Sequence, residues 1–91
     1  MLGFFFRMMP HYIYILYSEK LDKFYVGATV DIDSRIKKHL QKHKGFTSLA
    51  KDWTLQYFEQ FENKTAALNR EQQIKKWKSK KKILALINDA H

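Results

Sequence analysis

The chain contains no cysteine. A disulfide framework, a thiolate zinc site and a cysteine nucleophile are excluded together. No stretch approaches the roughly 20 consecutive apolar residues that cross a bilayer. The apolar opening Met1-Leu2-Gly3-Phe4-Phe5-Phe6 is brief, has no basic segment ahead of it, and is interrupted by Arg7, Met8, Met9 and Pro10. It therefore does not read as a secretory signal, and a cytoplasmic location follows by default. Residues 1–10 read as an N-terminal extension: either a frayed end upstream of a start at Met8 or Met9, or an apolar flap over a sheet edge or a partner surface. Acidic residues are also scarce. Nine Asp and Glu stand against seventeen Lys and Arg, leaving a net charge of +8 on 91 residues. A field of that sign on so small a body suits a polyanion, most simply nucleic acid.

What the chain does have is apolar and aromatic surface. Hydrophobic residues make up 45% of it, with seven Phe, five Tyr and two Trp. That is enough to build one core, spanning residues 11–91, without covalent help. There is no internal repeat and no low-complexity linker.

The run His11–Tyr17 is rich in β-branched and aromatic residues and predicts a strand, and Phe24–Gly27 predicts a second. The polar segment 18–23 between them makes the pair an antiparallel hairpin. From Asp31 the period changes: Ile32, Ile36 and Leu40 form one apolar stripe of a helix running to about His43, capped by Asp31 or Asp33 and stopped at Lys44-Gly45. Trp53–Phe61 predicts a third strand. Asn63 or Thr65 then caps a second helix that turns Ala67, Ile74 and Trp77 inward. Ser79 breaks it, and Ile83, Leu84, Leu86 and Ile87 give a last helix its apolar face. The expectation is an α+β fold of order β-β-α-β-α-α, a small three-stranded antiparallel sheet flanked by helices.

Charge is concentrated late in the chain. Eight of the seventeen cations lie between Lys64 and Lys82, beside one acid, Glu71. Such a cluster supplies phosphate contacts and affinity without sequence reading, or else simply a solvated face. Lys37, Lys38, Arg70, Lys75, Lys76, Lys78 and Lys80 are the candidate nucleic-acid contacts. Glu71 falls on the inward edge of its helix, four residues after Ala67. A semi-buried carboxylate there is either half of a salt bridge to Arg35 or Arg70, or a ligand for a hard divalent cation that takes oxygen donors and keeps several waters. Arg35 and His39, four apart, share one side of the first helix. The guanidinium fork suits a phosphate, and the imidazole can shuttle a proton near neutral pH. Taken singly they are ordinary surface residues, and the strand tyrosines are ordinary core aromatics.

As an ordered set these residues resemble a known pattern. Tyr12-Ile13-Tyr14 and Tyr25-Val26-Gly27, followed by Arg35, His39 and Glu71, resemble the signature of the GIY-YIG nuclease superfamily over residues 11 to 88. Gly45-Phe46-Thr47 and the stretch from Arg70 to Lys78 are similar to its small stand-alone bacterial members. Tyr12 replaces the first glycine, Ala28 stands where the repair-nuclease branch carries a lysine, and Asn88 is the one late asparagine. The resemblance implies a metal-dependent endonuclease that hydrolyses DNA phosphodiesters to 3′-hydroxyl and 5′-phosphate ends, directed by structure or damage. Its catalytic set would be Tyr14, Tyr25, Arg35, His39 and Glu71. Glu71 would hold Mg²⁺ or Mn²⁺, Arg35 would stabilise the charge growing on the phosphate, and either Tyr25 or His39 would act on the attacking water. The alternatives are a nucleic-acid-binding module that keeps this fold without its chemistry, and a membrane-surface or partner-binding role for the Phe4-Phe5-Phe6 end. A monomer is the simplest state for making single nicks.

Overall fold

A computed structural model describes residues 10–41 and 45–90. The Phe-rich extension falls outside them. Strands β1 (His11–Ser18), β2 (Lys23–Thr29) and β3 (Thr54–Phe61) form one antiparallel sheet of order β2-β1-β3. Helix α1 (Ile32–Leu40) and a short 3₁₀ turn (Phe46–Leu49) lie between β2 and β3, and α2 (Lys64–Trp77) and α3 (Lys80–Asp89) follow β3. The expected order β-β-α-β-α-α is the observed one.

The central strand explains its own sequence. In β1, Ile13, Tyr14, Ile15 and Leu16 are all buried, because both faces of the strand are covered. Ile13 and Ile15 pack with Val26 of β2 and with Ala67, Ile74 and Ile87 of α2 and α3. Tyr14 and Leu16 point the other way, onto Ala50 and Trp53, with Tyr25, Ile32 and Ile36 at the margin. The register sets Tyr14 opposite Gly27 on β2 and Phe58 on β3. Between Ile15 and Leu16 the pairing with β3 slips by a residue, a bulge at Gln56.

Asp31 caps α1 by accepting the Ser34 amide, Asn63 caps α2 through the Ala66 amide, and Ser79 caps α3 through the Lys82 amide. Lys78 takes the left-handed conformation that ends α2.

Three expectations need correction. Helix α1 ends at Leu40 with Gln41 as its cap, short of His43; Lys44 lies outside the described residues, and Gly45, at φ 112°, opens the 3₁₀ turn. Leu40 was expected in the buried stripe but is exposed, and His39, one position earlier, is buried in its place. Leu84 likewise faces outward, while Ile83, Leu86 and Ile87 carry the inner face of α3.

Candidate active site

The site is built around Tyr14. Its ring lies across β2 because the facing residue, Gly27, has no side chain. A Cβ at Gly27 would fall 2.5 Å from Tyr14 Cζ and 2.9 Å from Cε1, closer than packed atoms approach, and nearer still to the hydroxyl. Glycine is used here for close approach and not for an unusual φ. With that space open, the Tyr14 hydroxyl reaches helix α1 and is hydrogen-bonded to His39 Nε2 at 2.8 Å. His39 Nδ1 is in turn 2.8 Å from Thr47 Oγ1 in the 3₁₀ turn. Trp53 Nε1 donates to the Thr47 carbonyl at 2.9 Å and anchors the turn to the start of β3. A hydroxyl can donate or accept, so a neutral imidazole finds a partner for its N–H on one side and for its bare nitrogen on the other. Both ring nitrogens are therefore held, and the buried His39 is explained.

Tyr25, the second phenol, is half-buried. Its ring centroid is 4.9 Å from that of His39 and 6.3 Å from that of Tyr14. Phe46 stacks beside it at 6.5 Å and 16° and is itself 44% exposed. Burial pushes the Tyr14 hydroxyl well above the usual tyrosine range. Tyr25 adds to that, Arg35 opposes it, and Glu71 adds again. The phenol of Tyr14 thus feels the charge of both Arg35 on α1 and Glu71 on α2. Two phenols and an imidazole are in contact, and the guanidinium and the carboxylate lie within electrostatic range of the first phenol.

The raised Tyr14 value has a measurable consequence. Its proton is held more tightly in the folded protein than in the unfolded chain, where tyrosine titrates near 10. The stabilisation is fully present below about pH 10 and is lost as pH climbs beyond it, when the unfolded state ionises and folded Tyr14 does not. The melting temperature of the wild type should therefore fall more steeply above about pH 10 than that of Tyr14→Phe. Parallel curves for the two proteins would refute the assignment.

Glu71 is almost buried, and its Oε2 lies 3.2 Å from Lys75 Nζ one turn along α2. Neither anticipated partner, Arg35 or Arg70, holds it. Arg70 is instead forked onto Glu59 of β3 at 2.9 and 3.0 Å, bonded to Gln73 at 2.8 Å, and placed over the Trp77 ring. Lys80 pairs with Asp22 in the β1–β2 turn. Three of the seven cations expected to contact nucleic acid thus already face carboxylates. Lys37, Lys38, Lys76 and Lys78 are exposed. The Lys80–Asp22 pair, exposed on both sides, is worth little and exchanges readily for phosphate, whereas the bidentate Arg70 fork is a structural tie between β3 and α2.

Among the described residues no three His, Asp or Glu side chains gather into a metal cage. Glu71 offers one carboxylate. That donor set fits a hard divalent ion that keeps most of its waters and completes its shell with substrate oxygens. Thr47 was not singled out as a functional residue beforehand; it lies only eight residues beyond His39, and its motif, Gly45-Phe46-Thr47, carried no role.

Among the described residues no helix is long and apolar enough to cross a membrane. The GIY-YIG catalytic domain matches residues 10–83. A UPF0213 protein of Staphylococcus saprophyticus is 38% identical over 77 residues, covering 84% of this chain and 93% of that protein. A UPF0213 protein of Haloquadratum walsbyi is 33% identical over 73 residues, covering 79% of this chain and 81% of that one. The solution NMR structure of a UPF0213 protein from Bacillus halodurans superposes with a TM-score of 0.55 at 30% identity, covering 88% of this chain and 84% of the other. GIY-YIG proteins form a nuclease superfamily that hydrolyses phosphodiesters and generally uses divalent metals. The order of the elements, the matched span and these small relatives agree: this chain belongs to the GIY-YIG family.

Proposed function

We propose that this protein is a divalent-metal-dependent endonuclease acting on DNA as a monomer, directed by nucleic-acid structure or damage and not by base sequence. The observation that supports this best is the chain Tyr14–His39–Thr47, with Tyr25 against the imidazole and the charges of Arg35 and Glu71 converging on Tyr14. A buried, hydrogen-bonded imidazole that touches two phenols is more than a sheet needs for stability.

Each residue has a task its surroundings suit. Tyr14 keeps its proton and serves as a fixed neutral donor or acceptor, because burial makes its phenolate costly. His39 has both nitrogens occupied, so it orients Tyr14 and leaves the attacking water to Tyr25. Tyr25, half-open and edged by Phe46, orients the attacking water, whose proton passes to solvent as its oxygen bonds to phosphorus. The bond from phosphorus to the 3′ oxygen breaks, and that oxygen leaves as a hydroxyl after taking a proton from solvent. Arg35 neutralises charge on the non-bridging oxygens. Glu71 would hold Mg²⁺ or Mn²⁺, which supplies charge neutralisation at the phosphate and the departing oxygen. The exposed lysines of α1 and α2 would track the backbone.

The test is a panel of nicked, gapped, branched and lesion-bearing DNA and RNA, incubated with purified protein and Mg²⁺ or Mn²⁺. Cleavage to 5′-phosphate ends, abolished by chelation, is expected on at least one DNA. One observation favours a second reading: the Glu71 carboxylate already has a cation in Lys75, an arrangement that a metal-free binding module could retain. That reading requires salt-sensitive binding with no product on any substrate or metal.

A further inference from the structure

Between the start of β1, the end of β2, α1 and α2 lies an open cavity of about 250 Å³. Among the described residues its ionisable lining is His11, Arg35 and Lys64, and no carboxylate lines it. Among the described residues neither Arg35 nor Lys64 has an acidic partner, unlike Arg70, Lys75 and Lys80. The nearby Asp31 is occupied: its Oδ1 accepts the Ser34 amide at 3.1 Å as the α1 cap. Val30 and Leu68, both exposed, give the cavity an apolar wall. The space is smaller than the roughly 300–1,000 Å³ of pockets that engulf a small molecule. It suits one phosphate, held by the Lys64 point charge and one edge of the Arg35 guanidinium, whose other edge stays free for the phosphate being cleaved, with a sugar edge against the wall. Arg35 connects it to the candidate active site, since the same guanidinium acts on Tyr14.

We propose that this cavity is a second phosphate site, formed by His11, Arg35 and Lys64, which takes the backbone phosphate next to the one being cleaved. Its place beside the reaction rests on the nuclease reading; its affinity for phosphate does not. Two neighbouring phosphates held at once fix the backbone's direction across Tyr25 and Glu71, which a single anchored phosphate leaves free to swivel. Lys64 was counted in the basic cluster but not singled out as a nucleic-acid contact, because nothing in the sequence places it across from Arg35.

The experiment follows amide signals of the wild type and Lys64→Glu by NMR during titration with inorganic phosphate. Lys64 opens α2, where a glutamate favours the helix dipole, so the variant should fold, which its melting curve checks. Wild-type shifts are expected at residues 28–30 and 64–68, with affinity roughly tenfold weaker in the variant. In the DNA arm, an oligonucleotide carries one uncharged methylphosphonate next to the cleavage position. The substitution should weaken wild-type binding and have little further effect on Lys64→Glu, whose salt dependence should flatten by about one ion. Shifts elsewhere, no shifts, equal phosphate affinity in the two proteins, or an undiminished methylphosphonate effect in the variant would each overturn the site. Phosphate binding in the cavity by a protein that cleaves no DNA would overturn the nuclease reading and leave the anion site standing.

Discussion

Glu71→Gln is expected to stop cleavage, with a loss of roughly a thousandfold or more, while leaving the fold and DNA affinity nearly intact. The size follows from the role: neutralising charge on a phosphate and its leaving oxygen is worth several kcal/mol at the transition state, and each 1.4 kcal/mol is about tenfold in rate. The amide keeps the shape of a residue that is only 9% exposed, so the packing of α2 on β1 and β2 is preserved. Removing the carboxylate also frees Lys75 for phosphate, which should hold binding steady or strengthen it. A measurement independent of turnover accompanies the rate: Mn²⁺ should broaden amide signals around Glu71 in the wild type and spare them in the variant. Cleavage that persists in Glu71→Gln would remove the carboxylate from the mechanism.

How the sequence carries this site is uneven, and the reasons are physical. The sheet was legible because β1 is buried on both sides and so reads as an unbroken apolar run, while period four in Ile32 and Ile36 marks α1. The ordered residues Tyr14, Tyr25, Arg35, His39 and Glu71 stand out through their resemblance to the GIY-YIG signature, since each taken singly is an ordinary surface or core residue. What sequence could not supply was which side chains meet. Leu40 is the better hydrophobe and was assigned inward, yet a hydrogen-bonded histidine takes that place because Tyr14 and Thr47 satisfy both of its nitrogens. Arg70 looked free for nucleic acid because Glu59 is eleven residues away and on a strand; only the packing of α2 against β3 reveals the fork. Glu71 was weighed against two arginines when its partner was a lysine one turn along its own helix. Long-range pairing is a property of the sheet register and of helix packing, and composition carries neither.

That register makes Gly27→Ala the second large effect, and a sharper test of the architecture than any polar substitution. Adding one methyl group costs a surface strand almost nothing; at Gly27 it occupies space already filled by a ring. Tyr14 is 1% exposed and enclosed by Leu16, Ala50 and Trp53, so the ring has no vacant rotamer to swing into. Removing the hydroxyl alone gives no relief, since the ring carbon Cζ is itself only 2.5 Å from the new methyl position. Overpacking of this kind costs about 1–3 kcal/mol, which lowers the melting temperature of a domain this size by about 5–20 °C. The displaced phenol also leaves His39 Nε2, so cleavage should fall about a hundredfold or more through a residue that touches no substrate, in the range expected when catalytic groups are misplaced by an ångström. Gly45→Ala is the control with the opposite cause. Among the described residues nothing lies within 4 Å of its Cβ position, so its cost there comes from φ 112° and leaves the Tyr14–His39 contact in place. If Gly27→Ala melts like the wild type and retains full activity, the ring of Tyr14 does not lie over β2, and the site built on it falls with that geometry.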